Sequence, residues 1–229
     1  VASRGLGDVY KRQPYQRFPK SAEVWDRRGT LVKPLADLPM SNDTGTRGAV
    51  QPGPRNWQWH PTLPATVAYA EALDGGNPKT AAEFRDKVMT WAAPFTAPAT
   101  ELTKTQFRFQ NIAWTSAGSI WLTENNRDTR VLRTWVFDAP GATPRKLFER
   151  SSEDAYNNPG TPLRQARNSG GAVVFQNGDT VFLVGAGSSP QGDRPFLDRI
   201  NLKTGQKERL FQTEDQTYEP VLALLSDDG

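Results

Sequence analysis

One histidine and no cysteine set the limits of the chemistry that this 229-residue chain can carry. Without a thiol there is no thiolate nucleophile, no disulfide framework and no Cys-ligated metal site, and one imidazole excludes any site that needs two. His60, between Trp59 and Pro61, is of the right type for a general base, and a lone imidazole in an aromatic loop equally suits packing or capping. Glu71 and Asp74 stand three apart across a turn. Two carboxylates so placed are candidates for a glycosidase acid and its partner, or are simply solvated turn residues. The G-x-S-x-G turn that presents a nucleophilic serine is absent: Gly185-Ala186-Gly187-Ser188-Ser189 comes nearest and fails at its third and fifth positions. No glycine-rich run has the strand-to-helix setting of a phosphate cradle. The residues therefore assign no catalytic, cofactor-binding or metal position.

Composition constrains the elements that hold these residues. With 36% hydrophobic and 23% charged residues and a mean hydropathy of -0.65, the chain has the balance of a folded domain, which argues against disorder and membrane insertion. No apolar run approaches the roughly 20 residues that span a bilayer. Nineteen glycines, 18 prolines, seven tryptophans and 11 phenylalanines fit many short aromatic strands joined by turns. The net charge of +3 and pI near 9.2 come from one end: residues 1 to 33 carry eight Lys/Arg against three Asp/Glu, and the remainder carries 20 against 22. Signs there interleave, as in Glu124-Asn125-Asn126-Arg127-Asp128 and from Lys203 to Arg209, so no basic face for nucleic acid is expected.

Val1 to Gln13 resemble translated adapter or cloning sequence and show no signal-peptide pattern. At the other end Tyr218 to Leu225 promises a fresh strand and Ser226-Asp227-Asp228-Gly229 the turn after it, so the chain is expected to be cut from something longer. Between them, Ala22 to Trp25, the turn Asp26-Arg27-Arg28-Gly29 and Thr30-Leu31-Val32 predict a hairpin. Thr66 to Leu73 runs as a strand into the turn Asp74-Gly75-Gly76. Ala81, Ala82, Phe84, Arg85 and Val88 could line a helix, but Thr90, Trp91 and Pro94 favour a short helical turn followed by a strand over Lys87 to Ala92.

A repeat emerges from residue 107. Phe107 to Thr115, Ser119 to Glu124, Leu132 to Asp138 and Pro144 to Arg150 are four strand candidates. Ala172 to Phe175, Thr180 to Gly185, Pro195 to Leu202 and Lys207 to Thr213 repeat the plan, with Ile120-Trp121-Leu122 falling on Val181-Phe182-Leu183 and Leu147-Phe148 on Leu210-Phe211. A four-stranded antiparallel meander cannot bury both faces alone, so neighbouring units must stack or close into a ring. Trp57 to Thr105 has the look of a degenerate preceding unit. The expected fold class is all-β, a partial β-propeller over residues 14–229, with blades near 14–56, 57–106, 107–167 and 168–217 and the start of another at 218–229.

Several ordered segments carry a resemblance to a known family. These are Phe18 to Asp26 with Gly29, Gly53-Pro54-Arg55 with Trp57 and Trp59, Pro64-Ala65-Thr66 through Gly76, Arg85-Asp86, and Ala93-Pro94-Phe95. Glu153 to Gly160 and Gly187 to Asp198 continue the series. The chain thereby resembles, over roughly residues 14 to 229, the propeller of the prolyl oligopeptidase family in its glutamyl endopeptidase-like branch. Val67-Ala68-Tyr69 departs from that family's Leu-x-Trp by an aromatic exchange.

The resemblance implies a serine peptidase with an N-terminal propeller and a C-terminal α/β-hydrolase domain bearing a Ser-Asp-His triad, which lies outside this chain. No catalytic residue carries over, and no cofactor is implied. The propeller of such enzymes covers the active site and filters substrate, so the partners expected are a peptide or unfolded protein and the parent's hydrolase domain, with neither nucleic acid nor membrane. A non-enzymatic propeller acting as a binding platform is the alternative. A soluble protein is expected, leaning to the periplasm or the secreted space. Because the branch prefers acidic side chains, which a guanidinium fork binds bidentately, Arg55 in Gly53-Pro54-Arg55 and Arg194 in Gly192-Asp193-Arg194-Pro195, both in loops defined by Gly and Pro, are the candidate substrate contacts; the alternative is that Arg194 pairs with Asp193 or Asp198 and Arg55 stacks on Trp57.

Overall fold

The structure is a computed structural model that describes residues 18–41, 46–168 and 170–223, so Val1 to Gln13 lie outside it. Among the described residues every regular element is a strand. The first two, β1 (Lys20–Trp25) and β2 (Leu31–Leu38), form the expected hairpin, in which Gly29 takes the positive φ that its turn requires and Pro34 sits where no further strand pairs. Strands β3 (Arg55–Trp59), β4 (Thr66–Ala72), β5 (Asp86–Ala92) and β6 (Thr100–Thr105) make a second sheet in consecutive antiparallel order. Strands β7 (Arg108–Trp114), β8 (Ile120–Asn126), β9 (Val131–Phe137) and β10 (Arg145–Ser151) make a third on the same plan.

The fourth unit is less regular. Short segments β11 (Thr161–Pro162), β12 (Arg164–Ala166), β13 (Ala172–Val174) and β14 (Gln176–Asn177) precede β15 (Thr180–Gly185). A small hairpin, β16 (Ser188–Ser189) and β17 (Gly192–Asp193), leads to β18 (Phe196–Asn201) and β19 (Lys207–Gln212). Strands β15, β18 and β19 pair in order, and the inner edge of β15 is shared: β11 pairs with Leu183 and Val184, and β14 with Thr180 and Val181.

These sheets stack face to face in chain order, which is the arrangement of a partial β-propeller. In the third sheet the two-residue pleat sends Ile112, Ile120, Leu122 and Phe137 against Ala68, Ala70 and Val88 of the second. The alternate residues Ala113, Trp121 and Val136 pack on Val174, Val181, Leu183 and Ile200 of the fourth unit. Val24 of the hairpin meets Val67 and Phe95, which places the hairpin on the free face of the second sheet. Neighbouring units also join at their first strands, where Gln58 donates to the Ile112 carbonyl and Thr115 bridges Val174.

Four expectations are corrected. The segment from Trp57 to Thr105 is a regular four-stranded sheet and not a degenerate one; a bulge at Asn56, with φ of 57°, and the register shift between Arg55 and Gln58 break the alternation that would have revealed it. Residues 79–85 form turns and bends without a helical turn, because the Arg85 guanidinium bonds back to the Thr80 carbonyl, 2.5 Å away, and to Asp74. Ala172–Val174 is a strand, yet it pairs with β12 and not with β15. Tyr218 to Ala223 form no strand and hang from the Thr213 hydroxyl, which donates to the Glu219 carbonyl; Leu224 and Leu225 lie outside the described residues.

Candidate functional site

The charged residues singled out by the sequence separate into a buried cluster and a rim loop. At the cluster's centre Asp86, first residue of β5 and fully buried, accepts hydrogen bonds from the Phe109 amide at 2.7 Å and from Arg108 Nη1 at 3.1 Å. Arg55 Nη2 lies 2.5 Å from the same carboxylate. Asp74 stands beside it: its Oδ1 accepts from the Gly76 amide, and its Oδ2 accepts from Arg108 Nη2 at 2.7 Å and Arg85 Nη1 at 3.0 Å. Gly76 is obligatory for this turn, since its φ is 80° and a Cβ there would fall 2.0 Å from the Val50 carbonyl oxygen. Arg108 completes its fork on the carbonyls of Gly48 and Arg85.

Three guanidinium groups therefore surround two carboxylates across the seam between the second and third sheets. Burial of such charges is tolerable only when each is paired and hydrogen-bonded, and nearly all are. Arg55 is the exception: both its Nη atoms are buried without a hydrogen-bond partner among the described residues, Nη2 being held only by its ion pair with Asp86. Arg55 itself is the first residue of a strand and not a loop residue, and the ring that stacks on Trp57 is Tyr69, with centroids 4.3 Å apart.

Arg194 is placed differently. Its amide donates to the Gly187 carbonyl and its Nε to the Thr213 carbonyl, both at 3.0 Å. Its Nη1 is 3.2 Å from Asp215, and it pairs with neither Asp193, which takes the Ser188 hydroxyl, nor Asp198, which is held by Lys207 and Arg209. The side chain is 38% exposed, against 12% for Arg55. Gly187, at φ of 63°, lets the loop return so closely that a Cβ would meet the Arg194 carbonyl oxygen at 1.9 Å.

The carboxylate pair considered for glycosidic chemistry is taken apart by these contacts. Asp74 is locked in the arginine cluster, and Glu71 pairs with Lys87 directly across the sheet at 2.7 Å. Asp74 is thus a buried structural acid, not the solvated turn residue its sequence setting suggests. His60 caps a turn: Nδ1 accepts from the Thr62 and Leu63 amides, and the ring packs on Trp114 with centroids 4.1 Å apart. Burial lowers its pKa, which favours the neutral ring that this accepting role demands. Arg108 escaped the sequence reading altogether, its only signal being a charge beside Phe109 at the start of a strand whose other residues carry no charge.

No family model matches the chain. It is 37% identical over 225 residues to a protein of Oryza sativa subsp. japonica, and 38% identical over 227 residues to one of Arabidopsis thaliana. Both carry the name "Probable glutamyl endopeptidase, chloroplastic". Each alignment takes in 93% of this chain, which spans only 24% and 23% of the two relatives' lengths. Among solved structures, an oligogalacturonate lyase in complex with manganese overlays 86% of this chain and 43% of its own at 13% identity and a TM-score of 0.41. TolB from Acinetobacter baumannii (84% and 45%, 14% identity) gives 0.36. The β-propeller domain of the trilobed protease from Pyrococcus furiosus (76% and 46%, 14% identity) gives 0.37. More than a third of its residues are thus shared, across nearly its whole length, with two proteins named as probable glutamyl endopeptidases, of which this partial β-propeller spans about a quarter.

Proposed function

We propose that this propeller segment filters substrate for a serine peptidase whose α/β-hydrolase domain is carried elsewhere in the parent protein, and that the substrate is a peptide or unfolded protein segment. The observation that carries the reading is the identity of 37–38% to two glutamyl endopeptidase-like proteins over 93% of the chain. Chemistry then falls to the hydrolase domain and selection to the propeller. Purified alone, this segment is expected to leave peptide and ester substrates intact. Turnover by the segment, surviving removal of contaminating peptidase, overturns the division of labour.

Preference for glutamate side chains is part of the same proposal, with Arg55 and Arg194 as the contacts. Arg194 offers a partly exposed fork with one exposed partner, Asp215, to be exchanged for a substrate carboxylate. Arg55, 12% exposed and ion-paired with Asp86, reaches a substrate carboxylate only by exchanging that buried partner. In the full-length parent, Arg194→Ala is expected to raise KM for a Glu-containing peptide while leaving an uncharged peptide nearly unaffected. Equal losses on both peptides would mean that the arginine holds the loop and does not read substrate. Arg55→Ala adds a loss of stability, because Asp86 loses an ion-pair partner.

The compartment is likewise proposed, as periplasmic or secreted; the two plant relatives are named chloroplastic. Fractionation of the parent organism's cells decides it.

A further inference from the structure

The seam between the third sheet and the fourth unit is sealed along only part of its length. Ala113, Trp121 and Val136, paired across β7, β8 and β9, close it against Val174, Val181 and Leu183. One pleat further along the same face, the paired row is Asn111, Thr123, Thr134 and Phe148. This row crosses all four strands and faces a cavity of about 470 Å3, whose far wall is Asn158 to Pro162 with Arg164. The volume lies within the range of sites for small organic ligands.

The chemistry of the lining is one-sided. Arg150 and Arg164 both border the cavity and no carboxylate does. Arg150 spends Nη1 on the carbonyls of Ser151 and Asp154. The Arg164 side chain, like those of Asn111, Thr123 and Thr134, has no hydrogen-bond or ion-pair partner among the described residues. Unpaired hydroxyl and amide groups beside an uncompensated cation are complementary to an anion that also carries hydroxyls. An apolar guest would leave the row unsatisfied, and a bare inorganic anion would leave most of the volume empty.

The geometry points to this seam as a binding site for a small hydroxylated anion, either a sugar phosphate or a hydroxycarboxylate. Its anionic group lies on Arg164 and Arg150, its hydroxyls lie along the Asn111, Thr123 and Thr134 row, and its carbon skeleton rests on Trp121 and Phe148, whose ring centroids are 6.1 Å apart. The site is independent of peptidase activity and of the Arg194 loop.

Calorimetric titration of the 229-residue chain at constant ionic strength tests it, with glucose 6-phosphate and citrate as the two probes and glucose and sulfate as controls. One probe is expected to bind with unit stoichiometry, which tells the phosphate source from the carboxylate source, and glucose is expected to give no heat. Arg164→Ala, at an exposed position, is expected to weaken that probe about tenfold, the loss of one charge-assisted hydrogen bond. Thr123→Val with Thr134→Val is expected to weaken it further while leaving sulfate unaffected. Sulfate binding as tightly as both probes means an adventitious ion only and overturns the site. So does an unchanged affinity in both variants, silence from both probes, or tighter binding of an oligoglutamate peptide, which would make the seam a peptide site.

Discussion

The third sheet presents its two faces to two very different seams. Toward the second sheet it offers Ile112, Ile120, Leu122 and Phe137, and the buried acid it adds on that side is hydrogen-bonded. Glu124, 1% exposed, accepts from the Phe107 amide and from Trp135 Nε1, both at 2.9 Å. Toward the fourth unit the same strands offer an apolar row and then Asn111, Thr123 and Thr134, whose side chains have no hydrogen-bond partner among the described residues. Alternate residues of one strand thus build both a closed joint and an open one. The closed joint buries its charges as ion pairs, whereas the open one leaves Asn111 exposed and Thr123 and Thr134 half-buried.

The sharpest way to break the contrast is to damage the closed seam at its ionic centre. Asp86→Ala removes the acceptor shared by Arg55, Arg108 and the Phe109 amide, leaving the buried Arg55 guanidinium uncompensated and Arg108 with Asp74 alone. The expected cost is about 3–5 kcal/mol in urea unfolding. A loss under about 1 kcal/mol would mean that water reaches the cluster and that the closed seam is not closed.

A paired measurement sharpens it next. Leu122→Ala, in the closed seam, is expected to cost about 2–5 kcal/mol through lost packing and the cavity left behind. Thr134→Val, in the open seam, removes an unbonded hydroxyl at nearly constant volume and is expected to change stability by less than about 1 kcal/mol, in the stabilising direction. Equal costs at the two positions would erase the distinction.

The smallest effect is a pH dependence. His60 packs on Trp114 of the closed seam, and burial holds its folded pKa below 6.5. The unfolded chain therefore binds the proton more readily, so the contribution of His60 is fully present above pH 6.5 and is lost as pH falls through the folded pKa. The melting temperature of the protein is expected to fall more between pH 7.5 and 5.5 than that of His60→Gln. Parallel falls would mean that the ring is charged without penalty.

The strands of the third sheet and β15, β18 and β19 were legible because Ile120-Trp121-Leu122 and Val181-Phe182-Leu183 share one pleat and one set of turns. What stayed hidden has physical causes. The bulge at Asn56 shifts the alternation of the second sheet by one residue, and the inner edge of β15 is built from two segments of two residues each, too short to carry a period. Asp74 and Asp86 were visible as residues, the one read as a turn acid and the other as part of an Arg-Asp pair. Their partner Arg108 lies 34 and 22 residues away, and an ion pair between sheets leaves no local pattern. For Arg55 the glycine and proline before it suggested a loop, and only the packing reveals a strand and a buried counter-ion.

The shared inner edge of β15 bears on the order in which the chain assembles. In the second and third sheets each strand pairs with the one just made, so pairing can follow the ribosome turn by turn. The fourth unit does not allow this. Thr161 and Pro162 are synthesised well before Leu183 and Val184, their partners, and Ala172–Val174 is laid down between them on a separate ribbon. Until β15 emerges, the lead-in has no edge to join, and the face of the third sheet that bears Trp121 stays uncovered. Nascent chains of this propeller are thus most exposed to aggregation and chaperone capture while about residues 150 to 185 are leaving the exit tunnel.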